Sequence, residues 1–264
     1  MARYKLTLEY DGTSYSGWQT QKNARSIQGT LIRAAQEIFG QAVDIQGAGR
    51  TDAGVHALGQ IAHLETAGTL PPKKILYGLN DHLPSNINVL KVESVHARFH
   101  ARHQAVARTY IYLISKYRTA FGKRYVWWVR DSLNVEKMQA AGFLFQGFHD
   151  FASFADRRFD KEASTLVMIN GAEVLSFQNL IIFRISGSHF LWKMVRRIAG
   201  VLVEVGRENL ILPDVERMLQ QFSDVPAKWT APPSGLFLMQ VLYEGDREEP
   251  VRVPFLLTPE RDGS

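Results

Sequence analysis

The chain has 264 residues, 45% of them hydrophobic, with 20 glycines, 10 prolines, no cysteine and a formal charge of +5. This is the composition of a soluble globular protein of one large or two small domains. No apolar run approaches the roughly 18 residues of a membrane span, and the N-terminus enters a strand pattern without a secretory leader, so the cytoplasm is the expected location. The lack of cysteine excludes disulfides, thiolate zinc sites and cysteine nucleophiles, leaving oxygen, nitrogen and imidazole chemistry.

Tyr4, Leu6, Leu8 and Tyr10 alternate with polar residues, which predicts a half-buried strand ending at Asp11-Gly12. Ser26 caps a helix with an apolar stripe at Ile27, Leu31, Ala34, Ala35, Ile38 and Phe39, and Gly40 ends it. A short strand around Val43–Ile45 leads into a glycine-rich turn, and a second strand leaves it through Leu58, Gln60, Ala62 and Leu64. A helix from Pro71-Pro72 and a strand over Ile87–Val95 complete a βαββαβ order. After a basic connector at 96–107, Thr109–Ile114 predicts a strand, Asn134 caps a helix to Phe145, and strands follow at Leu166–Phe177 and Leu180–Ser186. A long helix over His189–Val205, a shorter one from Pro213 and a last strand over Leu236–Tyr243 give βαββααβ. The expected fold is α+β: two pseudo-repeated split βαβ units, at 1–104 and 105–264, whose antiparallel sheets join side by side with helices on one face and a catalytic cleft between the halves.

Arginines cluster at Arg98–Arg108, Arg118–Arg130, Arg157-Arg158 and Lys193–Arg197, the first three groups with aromatic or histidine neighbours. With a sequence pI near 9.4, the pairing of cations with flat rings points to RNA, whose backbone needs charge and whose unstacked bases need a stacking surface. His96, His100 and His103 stand at helical spacing for a metal site, but Arg98 and Arg102 would repel the ion and the segment joins strands, so RNA contact is the better use. Gly47-x-Gly49 is no dinucleotide loop, because a strand rather than a helix follows it. The chemistry centres on Gly49-Arg50-Thr51-Asp52-Ala53-Gly54, where glycines leave one carboxylate with little steric cover and Arg50 could keep it ionised. His56 and His63 are seven residues apart on one strand and so face opposite sides. Tyr110 taken alone reads as core, and on the long helix Arg197 flanks the apolar stripe while Arg196 lies nearly opposite it, so spacing makes both surface charges.

Together these residues form a recognisable pattern. Tyr10-Asp11-Gly12-Thr13, Gly17-Trp18-Gln19, Gly47–Ala57, Phe99-His100-Ala101-Arg102, Ala107–Tyr110, Phe190-Leu191, Met194-Val195-Arg196, Glu204-Val205-Gly206 and Ala231-Pro232 stand in the same order as in the tRNA pseudouridine synthase I (TruA) family, which the chain resembles over nearly its whole length. The resemblance implies cofactor-free isomerisation of uridine to pseudouridine at tRNA positions 38, 39 and 40, in a homodimer whose tRNA touches both subunits. It makes Asp52 the catalytic aspartate, Tyr110 the residue stacked on the target uracil, Arg196 the basic partner of Asp52, and Arg50 the residue associated with flipping the nucleotide. Phe99, His100, Ala101, Arg102 and His103, with Arg157, Arg158 and Lys161, match regions that touch tRNA. His103 stands where an aromatic is common, and the loop around Phe159–Glu162 departs from the family pattern. A non-catalytic tRNA-binding or RNA chaperone protein is the competing reading, and a histidine-metal hydrolase a more distant one.

Overall fold

The computed structural model describes residues 1–156 and 164–254. Among these, the chain is a mostly antiparallel α+β protein. The first half runs β1 (Ala2–Tyr10), α1 (Ile27–Phe39), β2 (Asp44–Gly47), β3 (His56–Thr66), α2 (Pro72–His82) and β4 (Ile87–Ser94), the order that hydrophobic periodicity predicts. There follow β5 (Ala107–Ser115), β6 (Trp127–Trp128), α3 (Val135–Leu144), β7 (Gly147–Asp150), β8 (Leu166–Phe177), β9 (Leu180–Gly187), α4 (Met194–Gly206), α5 (Leu212–Gln220), α6 (Val225–Lys228) and β10 (Leu236–Leu242). The additions to the predicted order, β6, β7 and α6, are two to four residues long, too short to display a period.

Two compact units are present. The first comprises Met1–Val106 and Phe237–Glu249, and the second is built from Ala107–Leu236. In the first the strand order is β4-β1-β3-β10, with β2 beside β3. Both partners of β1 are antiparallel to it, whereas β10 runs parallel to β3 with Phe237 opposite His56. The last strand, which sequence order assigns to the second half, thus completes the sheet of the first. Gly59 permits this approach: a β-carbon there would lie 2.5 Å from the Met239 carbonyl oxygen.

Local chemistry explains the helix ends. Ser26 accepts a hydrogen bond from the Gly29 amide at 3.2 Å, a cap worth about 1 kcal/mol, and Gly40 closes α1 in the left-handed region at φ 64°. Tyr4, Leu6, Leu8 and Tyr10 are buried on the helix side of β1, where the Tyr4 ring lies 6.4 Å from that of Phe39. On the other side of β1, Arg3 pairs with Glu65 and donates to the Phe99 carbonyl at 2.8 Å. The Lys5 ammonium sits 4.4 Å from the centre of the Tyr243 ring.

In the second unit the order is β5-β9-β8-β7, antiparallel throughout, with β6 parallel to the end of β5. The helix predicted from His189 begins only at Met194, because Lys193 adopts φ 62° and breaks the run. From there α4 is buried on nearly every side. A β-carbon on Gly200 would fall 1.6 Å from the Trp229 carbonyl oxygen, so only glycine lets the 229–231 segment lie against the helix backbone.

The connector 96–104 forms turns rather than a helix, so its three histidines do not share a helical face. It is tied to β3 through His63, whose buried Nδ1 accepts from the Ala101 amide at 3.2 Å. Burial, reinforced by the neighbouring His100 and Arg3, pushes the His63 pKa from 6.5 down to about 4. Between those values the unfolded chain binds a proton that the folded chain refuses, so stability falls as pH drops through that window. We expect the advantage of the native chain over a His63→Gln variant, read as urea midpoints, to shrink between pH 7 and pH 4.5. A difference independent of pH would contradict the assignment.

Candidate active site

Asp52 lies in the first unit, half-buried, in the turn between β2 and β3. The turn is held from beneath by its neighbour Thr51, which is buried: the Thr51 hydroxyl and the Tyr10 hydroxyl are 2.8 Å apart. Gln60, also buried, donates to the Gly49 carbonyl at 2.9 Å and to the Tyr10 oxygen at 3.4 Å. Burial pushes the Tyr10 phenol up to about 12, with the bonds to Thr51 and Gln60 opposing it, so this hydroxyl stays protonated as a fixed polar strut. From the side, the Trp18 amide donates to the Thr51 carbonyl at 3.0 Å and the Gly54 amide to the Tyr15 carbonyl at 3.3 Å. Gly17, at φ 94°, makes that approach possible, since a β-carbon would sit 2.5 Å from the Thr51 oxygen. The Tyr10–Gln19 stretch and the Gly47–Ala57 stretch are therefore one structural device. Arg50 is exposed at its edge.

His56 braces the same corner. Its Nδ1 accepts from the Gly12 amide at 3.1 Å and lies 3.1 Å from the Asp11 carboxylate, and its ring stacks on Phe237 with centroids 4.6 Å apart. Burial acts to raise the Asp11 pKa, but the neighbouring His56 ring and the hydrogen bonds from the Thr13 hydroxyl and amide outweigh it and hold the carboxyl well below the usual carboxylate range. His63 faces the Arg3–Lys5 side of the sheet and packs 4.7 Å from the His100 ring. Neither histidine is spare: each satisfies a backbone amide.

In the second unit Tyr110 is buried on β5, paired in register with Ile185 of β9. Its ring meets Phe190 edge-on at 5.1 Å, which fixes the plane of the phenol. Arg196 and Arg197 are half-buried on α4 rather than the surface charges that spacing predicts. Arg196 donates from Nε to the Ala231 carbonyl at 2.7 Å while its own carbonyl accepts from the Ala231 amide at 3.0 Å. Arg197 donates to the Ala155 carbonyl at 2.6 Å. Helical periodicity misplaces them because the backbone of the 153–155 and 229–231 segments, not solvent alone, covers that side of the helix. Tyr112, two residues beyond Tyr110, donates to the Pro232 carbonyl at 2.7 Å, and burial raises its pKa well above the usual range against the opposing charge of Arg196.

Of the residues expected to touch RNA, Arg102 and His103 are exposed, Phe99 and His100 half-buried, and Ala101 buried. Ala101 presents its backbone: the carbonyl accepts from the Tyr243 hydroxyl at 2.7 Å. Arg157, Arg158 and Lys161 lie outside the described residues. Among the described residues no group of three or more histidines or carboxylates is placed to hold a metal ion, and no helix is long and apolar enough to cross a membrane.

A family model described as tRNA pseudouridine synthase matches residues 7–104 and 141–244. Asp52 and Arg196 fall inside the matched stretches, and Tyr110 between them. The chain is 40% identical over 246 residues to tRNA pseudouridine synthase A of Ruminiclostridium cellulolyticum, covering 92% of this chain and 100% of that one. It is 39% identical, with the same coverage, to the protein of that name from Acetivibrio thermocellus. With tRNA pseudouridine synthase A 2 of Bacillus cereus it shares 37% over 244 residues, 91% of this chain and 99% of the other. The chain belongs to the tRNA pseudouridine synthase family.

Sequence reasoning missed the support of the Asp52 turn. Gln60 was its visible signal: a large amide in the middle of a strand of core residues must find buried partners. Removing one hydroxyl of the Tyr10–Thr51 pair takes from the other a buried partner, a cost of about 1–3 kcal/mol, whereas removing both costs less than the sum. A double-mutant cycle of Tyr10→Phe and Thr51→Val in denaturant is expected to show that coupling. Strict additivity would mean the two hydroxyls act independently.

Proposed function

We propose that this chain isomerises uridine to pseudouridine in tRNA, at positions 38, 39 and 40 of the anticodon stem-loop, with Asp52 as the catalytic carboxylate. The observation that carries the reading is the family match across residues 7–104 and 141–244. The Gly49–Gly54 motif around Asp52, braced by Tyr10, Thr51 and Trp18, supports the choice of acid. The reaction breaks the bond from uracil N1 to ribose C1′, joins C5 to C1′, and moves one proton from C5 to N1. Nothing is gained, lost, oxidised or reduced, so the demand is to extrude the base and retain it while it is detached. Asp52 either attacks covalently or removes a ribose proton.

Tyr110 serves as the platform for the loose uracil, a role that suits a phenol whose plane Phe190 fixes. Arg196 acts as the basic partner of Asp52, its Nε anchored so that the rest of the guanidinium is directed rather than free to wander. Arg50, exposed beside the turn, assists in flipping the nucleotide. Phe99, His100, Ala101, Arg102 and His103, with Arg157, Arg158 and Lys161, contact tRNA. The working form is a cytoplasmic homodimer in which one tRNA reaches both subunits.

Incubation with unmodified tRNA transcripts, followed by mapping of pseudouridine at single-nucleotide resolution, tests activity and site choice together. Asp52→Asn is expected to lower turnover by about a thousandfold or more while tRNA affinity stays within a few-fold of native. Normal product formation by that variant would remove Asp52 from the mechanism, and tight tRNA binding by the native protein with no product would make it a binding protein.

A further inference from the structure

The stretch between β5 and α3 carries a surface that the chemistry at Asp52 does not use. From Lys116 to Arg130 the chain holds five cations, Lys116, Arg118, Lys123, Arg124 and Arg130, and no carboxylate. All five are exposed. The next acid, Asp131, pairs with Arg207 at 2.7 Å and so is already neutralised by another cation. Within the same stretch Phe121 is 95% exposed and Trp128 41% exposed, and the Arg118 guanidinium lies 5.9 Å from the centre of the Trp128 ring.

The presentation is built rather than frayed. Trp127 turns inward, edge-on to Tyr112 at 6.2 Å, and strand alternation therefore sends Trp128 outward. The Ser115 hydroxyl donates to the Tyr117 carbonyl at 2.7 Å, and the Tyr125 amide donates to the Gly122 carbonyl at 2.9 Å, closing the turn beside Phe121. A phenylalanine left in water among exposed cations stabilises nothing in the folded chain, yet base stacking on an aromatic face next to phosphate-binding charge is how unpaired RNA is held. The stretch also lies outside the residues that the family model matches.

We propose that Lys116–Arg130 is a second RNA-docking surface, gripping phosphates through Arg118, Lys123 and Arg124 and stacking one unpaired base on Phe121. Tyr110 and Ser115 stand at opposite parts of β5, roughly 17 Å apart at about 3.3 Å per residue, so the surface meets tRNA away from the target uridine. It contributes affinity and leaves the chemical step alone. The proposal rests on the reading that this protein acts on tRNA.

The test is a combined Arg118→Ala, Lys123→Ala and Arg124→Ala variant, assayed with full-length unmodified tRNA for Kd across a salt series and for kcat and KM. The expected result is affinity weaker by about tenfold or more, with a salt dependence shallower by roughly two units, since each phosphate contact contributes about 0.7–0.9. KM rises in step and kcat at saturating tRNA is unchanged. Replacing Arg118 and Arg124 by lysine restores the salt slope, and Phe121→Ala weakens binding about fivefold or more with the slope unaltered. Unchanged Kd and slope in the triple variant, a loss confined to kcat, or no recovery with lysine would each overturn the proposal. A native protein that binds tRNA without forming pseudouridine would refute the activity and not this surface, because the Kd measurements stand apart from turnover.

Discussion

The position of Asp52 depends on a contact made by its neighbour. Thr51 reaches down to the sheet, where the Tyr10 phenol meets its hydroxyl at 2.8 Å, and its carbonyl takes the Trp18 amide from the side. Both partners sit in a largely apolar interior, where a polar group without a partner is costly. That cost is what gives the arrangement its rigidity. The turn cannot shift without stranding Tyr10, Thr51 and Gln60 together, so a short glycine-rich loop behaves as part of the core. The role proposed for Asp52 needs this kind of support, since a catalytic group on a loop must hold its geometry.

β3 serves two sides of the sheet in different ways. On the side of Leu6 and Leu8 its Gln60, Ala62 and Leu64 join the core under the helices. On the other, His63 and Glu65 lie opposite Lys5 and Arg3 and receive the basic connector 96–104. His63 is the hinge of that arrangement, a neutral imidazole among cations. It holds the backbone of Ala101 through a hydrogen bond that protonation would abolish, because a charged ring has no lone pair to offer.

Much of this was legible in the sequence. The β1 alternation, the Ser26 cap, the Gly40 stop and the proline start of α2 are local signals, and local signals set those elements. What escaped was set by distant parts of the chain. The register of β10 on β3 depends on Gly59 and on residues from the far end of the sequence, and no periodicity in either strand announces a parallel pairing. Arg196 and Arg197 looked like solvent-facing charges because helical spacing knows only its own stripe, whereas the 229–231 and 153–155 segments cover the remaining side. The start of α4 was misjudged for a narrower reason, a single left-handed residue at Lys193. Asp52 itself stood out by motif, while the hydroxyls and amide that hold it did not, since a tyrosine and a threonine in or beside strands look like ordinary sheet residues.

The return of Phe237–Glu249 to the first unit has a consequence for biosynthesis. Residues 1–106 leave the ribosome before residues 107–236, and only after those does the strand that lies against His56 follow. Until it emerges, one edge of β3 lacks a neighbour along His56 and Ala57, next to the Asp52 turn, and an unpaired edge is a template for association with other nascent chains. The unit that carries Asp52 is thus completed only after the other has been made, and the chain that has not yet reached Phe237 is the species most exposed to misassembly.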